Sequence, residues 1–133
     1  MLKPQGGIVA GLQKILLVED NPELRNLYEI FLKYNHFDVA TAVDGEDGLR
    51  VAQEFQPDLI FLDVMMPKKD GFEVLKLLRH DEQYNCTKAK IVLLTNLGDG
   101  SKVSPETRQD MDGYVIKAEI VLSDLLGIIK SFE

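Results

Sequence analysis

Three acidic residues stand where apolar runs stop. "KILLVED" ends on Glu19 and Asp20, and "LIFLD" ends on Asp63. Carboxylates brought together repel and raise each other's pKa unless a cation lies among them. Oxygen-only ligation by one or two carboxylates and several waters suits Mg²⁺. Such an ion with open positions can grip a phosphoryl group. Two further runs end on useful groups: "KIVLLT" on Thr95, a hydroxyl donor, and "GYVI" just before Lys117, a mobile positive charge. Carboxylate nucleophile, metal, hydroxyl and ammonium together make a phosphoryl-transfer site, in which Asp attacks phosphorus and holds it as an acyl phosphate.

These groups can act together only if the fold gathers them. The apolar runs at 14–19, 59–63, 90–95 and 113–116 have the length and continuity of parallel strands covered on both faces. A fifth run, "FDVATA" (37–42), alternates more and reads as an edge strand. Between them lie segments of helical period. Asn21-Pro22 caps and opens the first, whose apolar face is Leu24, Leu27, Tyr28, Phe31 and Leu32. Asp44 opens a second with Leu49, Ala52 and Phe55, and Asp70 a third with Phe72, Leu75 and Leu78. Ser104-Pro105 opens a fourth and Asp112-Gly113 ends it; the fifth carries Leu122, Leu125, Leu126 and Ile129. Strand and helix alternate five times, which predicts an α/β fold with a parallel sheet. In doubly wound sheets, ligands bind beyond the carboxyl ends of strands where the strand order reverses. In the flavodoxin-like order 2-1-3-4-5 that point lies between strands 1 and 3, the strands that end in Asp20 and Asp63.

The bulk properties narrow the classes. The 133 residues suit one domain with one sizeable core. The net charge of −7, with Lys and Arg scattered, predicts no direct nucleic-acid binding. The lone cysteine, Cys86, forbids an internal disulfide and fits a reducing, cytoplasmic setting. No apolar run approaches the roughly 20 residues of a membrane span. Gly6, Gly7 and Gly11 do not make a phosphate loop, since no strand precedes them; residues 1–13 read as a flexible leader. His36 and His80 have no partner spacing and read as surface histidines.

The motifs "VEDN" (18–21), "FLDVMMPKKDG" (61–71), "LLT" (93–95) and "GYVIK" (113–117), in this order on these strand ends, resemble the receiver domain of two-component response regulators. The resemblance covers about residues 14–132 and implies a receiver domain over 14–133, with the flavodoxin-like (βα)5 sandwich and its five-stranded parallel sheet. It implies that Asp63 accepts phosphate from a phosphohistidine on a histidine kinase or phosphotransfer protein. Asp20, Asp63 and the Met65 carbonyl would hold Mg²⁺, with Glu19 acting through a water. Thr95 would bind the phosphoryl group and move toward it, Lys117 would pair with Asp63, and Tyr114 would be the aromatic switch, though simple core packing is an alternative for it. Such a domain is a signalling module that catalyses its own phosphotransfer and dephosphorylation, not a conventional enzyme. The expected state is a monomer or a weak phosphorylation-linked dimer, with an output protein that the sequence does not name.

Two departures from the family pattern stand out. Ala118 follows Lys117 where the family has proline after a cis peptide bond. A cis bond costs roughly 3–4 kcal/mol before a non-proline residue, against about 0.5–1 before proline, so this bond is either strained cis or trans. In 96–113, Gly98, Gly100 and Pro105 forbid a long helix directly after Thr95. The expectation is a loop to about Lys102, then a short helix from Pro105 to Met111. Met65 and Leu97 stand two residues beyond Asp63 and Thr95, positions that the resemblance implies influence hydrolysis; both are apolar, which predicts a long-lived phosphorylated form. Competing readings are a degenerate receiver that binds partners without phosphorylation, an aspartyl-phosphate phosphatase and a flavodoxin-like FMN carrier. Met65 occupies the place of the general acid that the phosphatase needs, and Glu19-Asp20 would repel the FMN phosphate.

Overall fold

The computed structural model describes residues 12–84, 88–96 and 103–133. Strands and helices alternate: β1 (Lys14–Val18), α1 (Pro22–Tyr34), β2 (Asp38–Ala42), α2 (Gly45–Phe55), β3 (Leu59–Asp63), α3 (Gly71–His80), β4 (Lys90–Thr95), α4 (Pro105–Asp110), β5 (Gly113–Ile116) and α5 (Leu122–Ser131). A single 3₁₀ turn, Lys117–Glu119, joins β5 to α5. All strand pairs are parallel, in the order β2-β1-β3-β4-β5. This is the doubly wound 2-1-3-4-5 sheet, with β2 at an edge.

The strand runs are continuously apolar because both faces of the sheet are covered. On one face Leu16, Val18, Ile60, Leu62, Ile91 and Leu93 pack against α2 and α3 through Leu49, Ala52, Val74, Leu75 and Leu78. On the other Ile15, Leu17, Leu59, Phe61, Val92 and Leu94 meet Tyr28 and Leu32 of α1 and Leu125 and Ile129 of α5. Leu27 lies off the apolar face assigned to α1 and is 48% exposed. The stripe that α1 turns inward is Leu24, Tyr28, Phe31 and Leu32.

Each of the first four helices starts at its expected cap. Asn21 Oδ1 accepts from the Leu24 amide at 3.0 Å, Asp44 Oδ1 from Asp47 at 2.8 Å, Asp70 Oδ1 from Glu73 at 2.9 Å and Ser104 Oγ from Thr107 at 3.2 Å. Each cap contributes about 1 kcal/mol to its helix. The fourth helix is short, as expected, and ends one residue early, with Met111 as its C-cap. None of its side chains is buried. Polar ties hold its C-terminal end: Arg79 Nε donates to the Asp110 carbonyl at 2.7 Å, and His80 Nε2 lies 3.0 Å from Asp110 Oδ1. His36 is exposed, in a left-handed turn (φ 74°) after α1. Cys86, Leu97 and most of the leader lie outside the described residues. Among the described residues no helix is long and apolar enough to cross a membrane.

Candidate functional site

The register of the sheet sets the height of each site residue. Val18 pairs with Leu62, so Glu19 and Asp63 emerge side by side. Asp63 pairs with Leu94, which puts Thr95 one step beyond it, and Thr95 pairs with Ile116, which puts Lys117 one step further. Four strand ends thus deliver Glu19, Asp63, Thr95 and Lys117 to one crevice. Asp20, the next residue of the β1 tip, is exposed at its mouth. Glu19, Asp20 and Asp63 each offer a carboxylate oxygen, and these oxygens lie within 4.8 Å of one another.

Glu19 is fully buried: its Oε1 accepts from Lys117 Nζ at 2.9 Å and its Oε2 from the Asn21 amide at 3.1 Å. Lys117 Nζ also lies 3.1 Å from Asp63 Oδ1, which accepts from the Met65 amide at 3.3 Å. The other Asp63 oxygen, Oδ2, is buried without a hydrogen-bond partner. A buried carboxylate oxygen left unpaired is costly. Its lone pairs are available to a cation or to phosphorus, so the donor set fits a hard divalent ion such as Mg²⁺.

Burial, then the neighbouring Glu19 charge, pushes the Asp63 carboxyl up to about 7, against the pull of Lys117. Burial acts to lower Lys117, but the Glu19 and Asp63 carboxylates outweigh it and hold the ammonium above its usual range. Burial, with Glu19 second, also raises the Tyr28 phenol.

The loop after β3 is pressed between two helix starts. A Cβ on Gly71 would meet the Asp63 carbonyl oxygen at 2.4 Å, and one on Gly45 would meet the Lys69 carbonyl oxygen at 2.2 Å. Only residues without a side chain allow α3 and α2 this close to the segment that carries Met65. Arg25 escaped the sequence reading. Its Nη1 donates to the Glu19 carbonyl at 2.8 Å and more weakly to that of Asp20 at 3.4 Å. A signal existed: Arg25 lies one helical turn after the Asn21 cap, where its side chain can fold back over the β1 tip.

The sequence pattern of the response regulator receiver domain matches residues 15–130. The chain belongs to this family. It is 41% identical over 106 residues to the transcriptional regulatory protein AfsQ1 of Streptomyces coelicolor, covering 80% of this chain and 45% of that protein. It is 42% identical over 87 residues to the DNA-binding dual master transcriptional regulator RpaA of Synechocystis, covering 65% of this chain and 35% of the relative. The receiver therefore spans less than half the length of these curated relatives. Among solved structures it is similar to the response regulator TrrA of Thermotoga maritima in complex with Mg²⁺-BeF, with a TM-score of 0.77, 30% identity, and 92% and 100% of the two chains covered. The chemotaxis protein CheY4 of Vibrio cholerae gives 0.73, 31%, 90% and 98%.

Against this receiver pattern the Lys117-Ala118 departure has a structural resolution. No peptide bond among the described residues is cis, and the chain turns through Lys117–Glu119 in a 3₁₀ turn instead. Lys117 still reaches Asp63. Thr95 is buried at the end of β4, while Tyr114 on β5 is 37% exposed, which argues against simple core packing for it. Met65 is 64% exposed beside the crevice.

Proposed function

We propose that this receiver is a phosphorylation-dependent signalling switch whose acceptor is Asp63. The observation that carries the reading is the buried, unpartnered Asp63 Oδ2 beside the Glu19 and Asp20 carboxylates and the Lys117 ammonium. A carboxylate so placed has a free nucleophilic oxygen and a fixed counter-charge.

In the proposed reaction, an Asp63 oxygen attacks phosphorus of a phosphohistidine on a histidine kinase or phosphotransfer protein. A bond from that oxygen to phosphorus forms, the bond from phosphorus to imidazole nitrogen breaks, and the imidazole takes up a proton. Asp63 attacks as the carboxylate, and Lys117 favours that form. Asp20, Asp63 and the Met65 carbonyl would hold Mg²⁺, with Glu19 contributing through a water. When bound, the ion would supply positive charge to the phosphoryl oxygens. Thr95 would donate its hydroxyl to the phosphoryl group, and Tyr114, partly exposed on the neighbouring strand, would turn inward as Thr95 moves. The same site would return Asp63 to its free form by admitting water.

The state of Asp63 would alter the face that includes α4 and β5, and so the choice of output partner. Relatives named as transcriptional regulators favour an output in gene regulation, through a further part of the same protein or through a separate partner. Similarity to a receiver solved with Mg²⁺-BeF supports the metal assignment. The position of Lys117 weighs against a degenerate receiver, since the ammonium reaches Asp63 without proline at residue 118.

The deciding experiment is intact mass after incubation with Mg²⁺ and a small phosphodonor such as acetyl phosphate. The expected result is a single phosphate adduct on wild type and none on Asp63→Asn. An unmodified wild type, or an adduct that survives in Asp63→Asn, would overturn the assignment.

A further inference from the structure

The strand register of β1 ends at Val18; the Glu19 amide still donates to the Ala42 carbonyl at 3.1 Å, while the carbonyls of Glu19 and Asp20 lie past the last paired residue. The Arg25 amide closes the first turn of α1 on the Asn21 carbonyl at 2.9 Å, and its guanidinium folds back onto the β1 tip. We infer that Arg25 is the positioning residue of the carboxylate cluster, the clamp that sets where Glu19 and Asp20 stand relative to Asp63. The two halves of the cluster share the Lys117 ammonium but are carried on different backbone segments. Asp63 belongs to β3 and is backed by the close approach of Gly71. Glu19 and Asp20 hang from a corner that turns directly into α1. That helix is anchored by its buried Tyr28 and Leu32. Through Arg25 the corner inherits the rigidity of the helix. A charge-assisted bond from guanidinium to carbonyl is stronger than a neutral one, and a ligand shell that holds its ligands in place governs metal affinity.

This inference rests on the metal reading above, and the sign of one effect separates it from simple electrostatics. Arg25 is a positive charge beside a cation site. By charge alone, its removal would tighten Mg²⁺ binding. A lost clamp weakens it instead. The test is calorimetric titration of Mg²⁺ into wild type, Arg25→Ala and Arg25→Lys, with circular dichroism to verify the fold. Arg25→Ala is expected to weaken Mg²⁺ binding about tenfold, and Arg25→Lys, which keeps one donor group, to fall between. If Arg25→Ala does not fold, Arg25→Gln replaces it, since the shorter amide cannot bridge both carbonyls. Wild type that binds, with Arg25→Ala binding equally or more tightly, overturns the inference alone. Wild type that takes up no Mg²⁺ overturns the metal reading and the inference with it.

Discussion

The ammonium of Lys117 stands 3.1 Å from Asp63 Oδ1 although alanine follows it and its peptide bond is trans. Its second contact, to the buried Glu19 at 2.9 Å, explains how. Two carboxylates draw Lys117 into the crevice, and the 3₁₀ turn supplies the path.

Removing that charge leaves two buried carboxylates without their cation. Breaking a buried ion pair on one side costs about 3–5 kcal/mol, with protonation of a carboxyl relieving part of it. Lys117→Met is therefore expected to lower stability by about 3 kcal/mol at neutral pH, read from urea unfolding in EDTA. An effect under about 0.5 kcal/mol, the level of an ordinary surface change, would mean that Lys117 is not held as described.

The metal-free protein should respond to pH through Asp63. Its folded value of about 7 lies above its ordinary 3.8. Between the two, the folded state holds a proton that the unfolded state has released, so this group's contribution is full below about pH 4 and is lost as pH rises through about 7. Stability measured in EDTA should fall across that window. Asp63→Asn should flatten the fall, and an identical slope in both proteins would refute the link. Mg²⁺ should restore stability to wild type at pH 8.

Gly45 should not tolerate a side chain. A methyl group there would sit 2.2 Å from the Lys69 carbonyl oxygen, so α2 or the loop must shift. Overpacking of this kind costs about 1–3 kcal/mol. Gly45→Ala should lower the melting temperature and, because the loop carries Met65, slow phosphoryl uptake from acetyl phosphate. Wild-type values for both would show that the loop yields freely.

Met65 bears on the lifetime of the phosphorylated state. Its apolar side chain stands partly in solvent at the mouth of the crevice and would hinder an ordered attacking water. Met65→Asn should shorten the phosphoryl lifetime severalfold in a phosphate-release time course. An unchanged or longer lifetime would remove this role.

What the sequence revealed is what is local. Asn21, Asp44, Asp70 and Ser104 announce helix starts because each bonds an amide only three residues away. Strands that end on Asp63 and Thr95 were legible because a doubly covered sheet makes an unbroken apolar run, and its end is conspicuous. The shortness of α4 followed from Ser104-Pro105 and Asp112-Gly113. Tertiary features stayed hidden. Exposure of Leu27 depends on where α1 rolls on the sheet, which helical spacing alone does not set. The burial of Glu19 against Lys117 joins residues 98 positions apart. The Arg25 bonds go to carbonyls, which carry no residue-type signature, so its place one turn after the Asn21 cap was the only pointer to them.

The short fourth helix has an evolutionary consequence. With no side chain in either apolar layer, α4 can move, or be rewritten residue by residue, without opening a void in the interior. Changes there would spend a few polar ties around Asp110 and leave the molecule's folding largely intact. New recognition partners could thus be acquired on that surface while the chemistry at the far ends of the strands stays as it is.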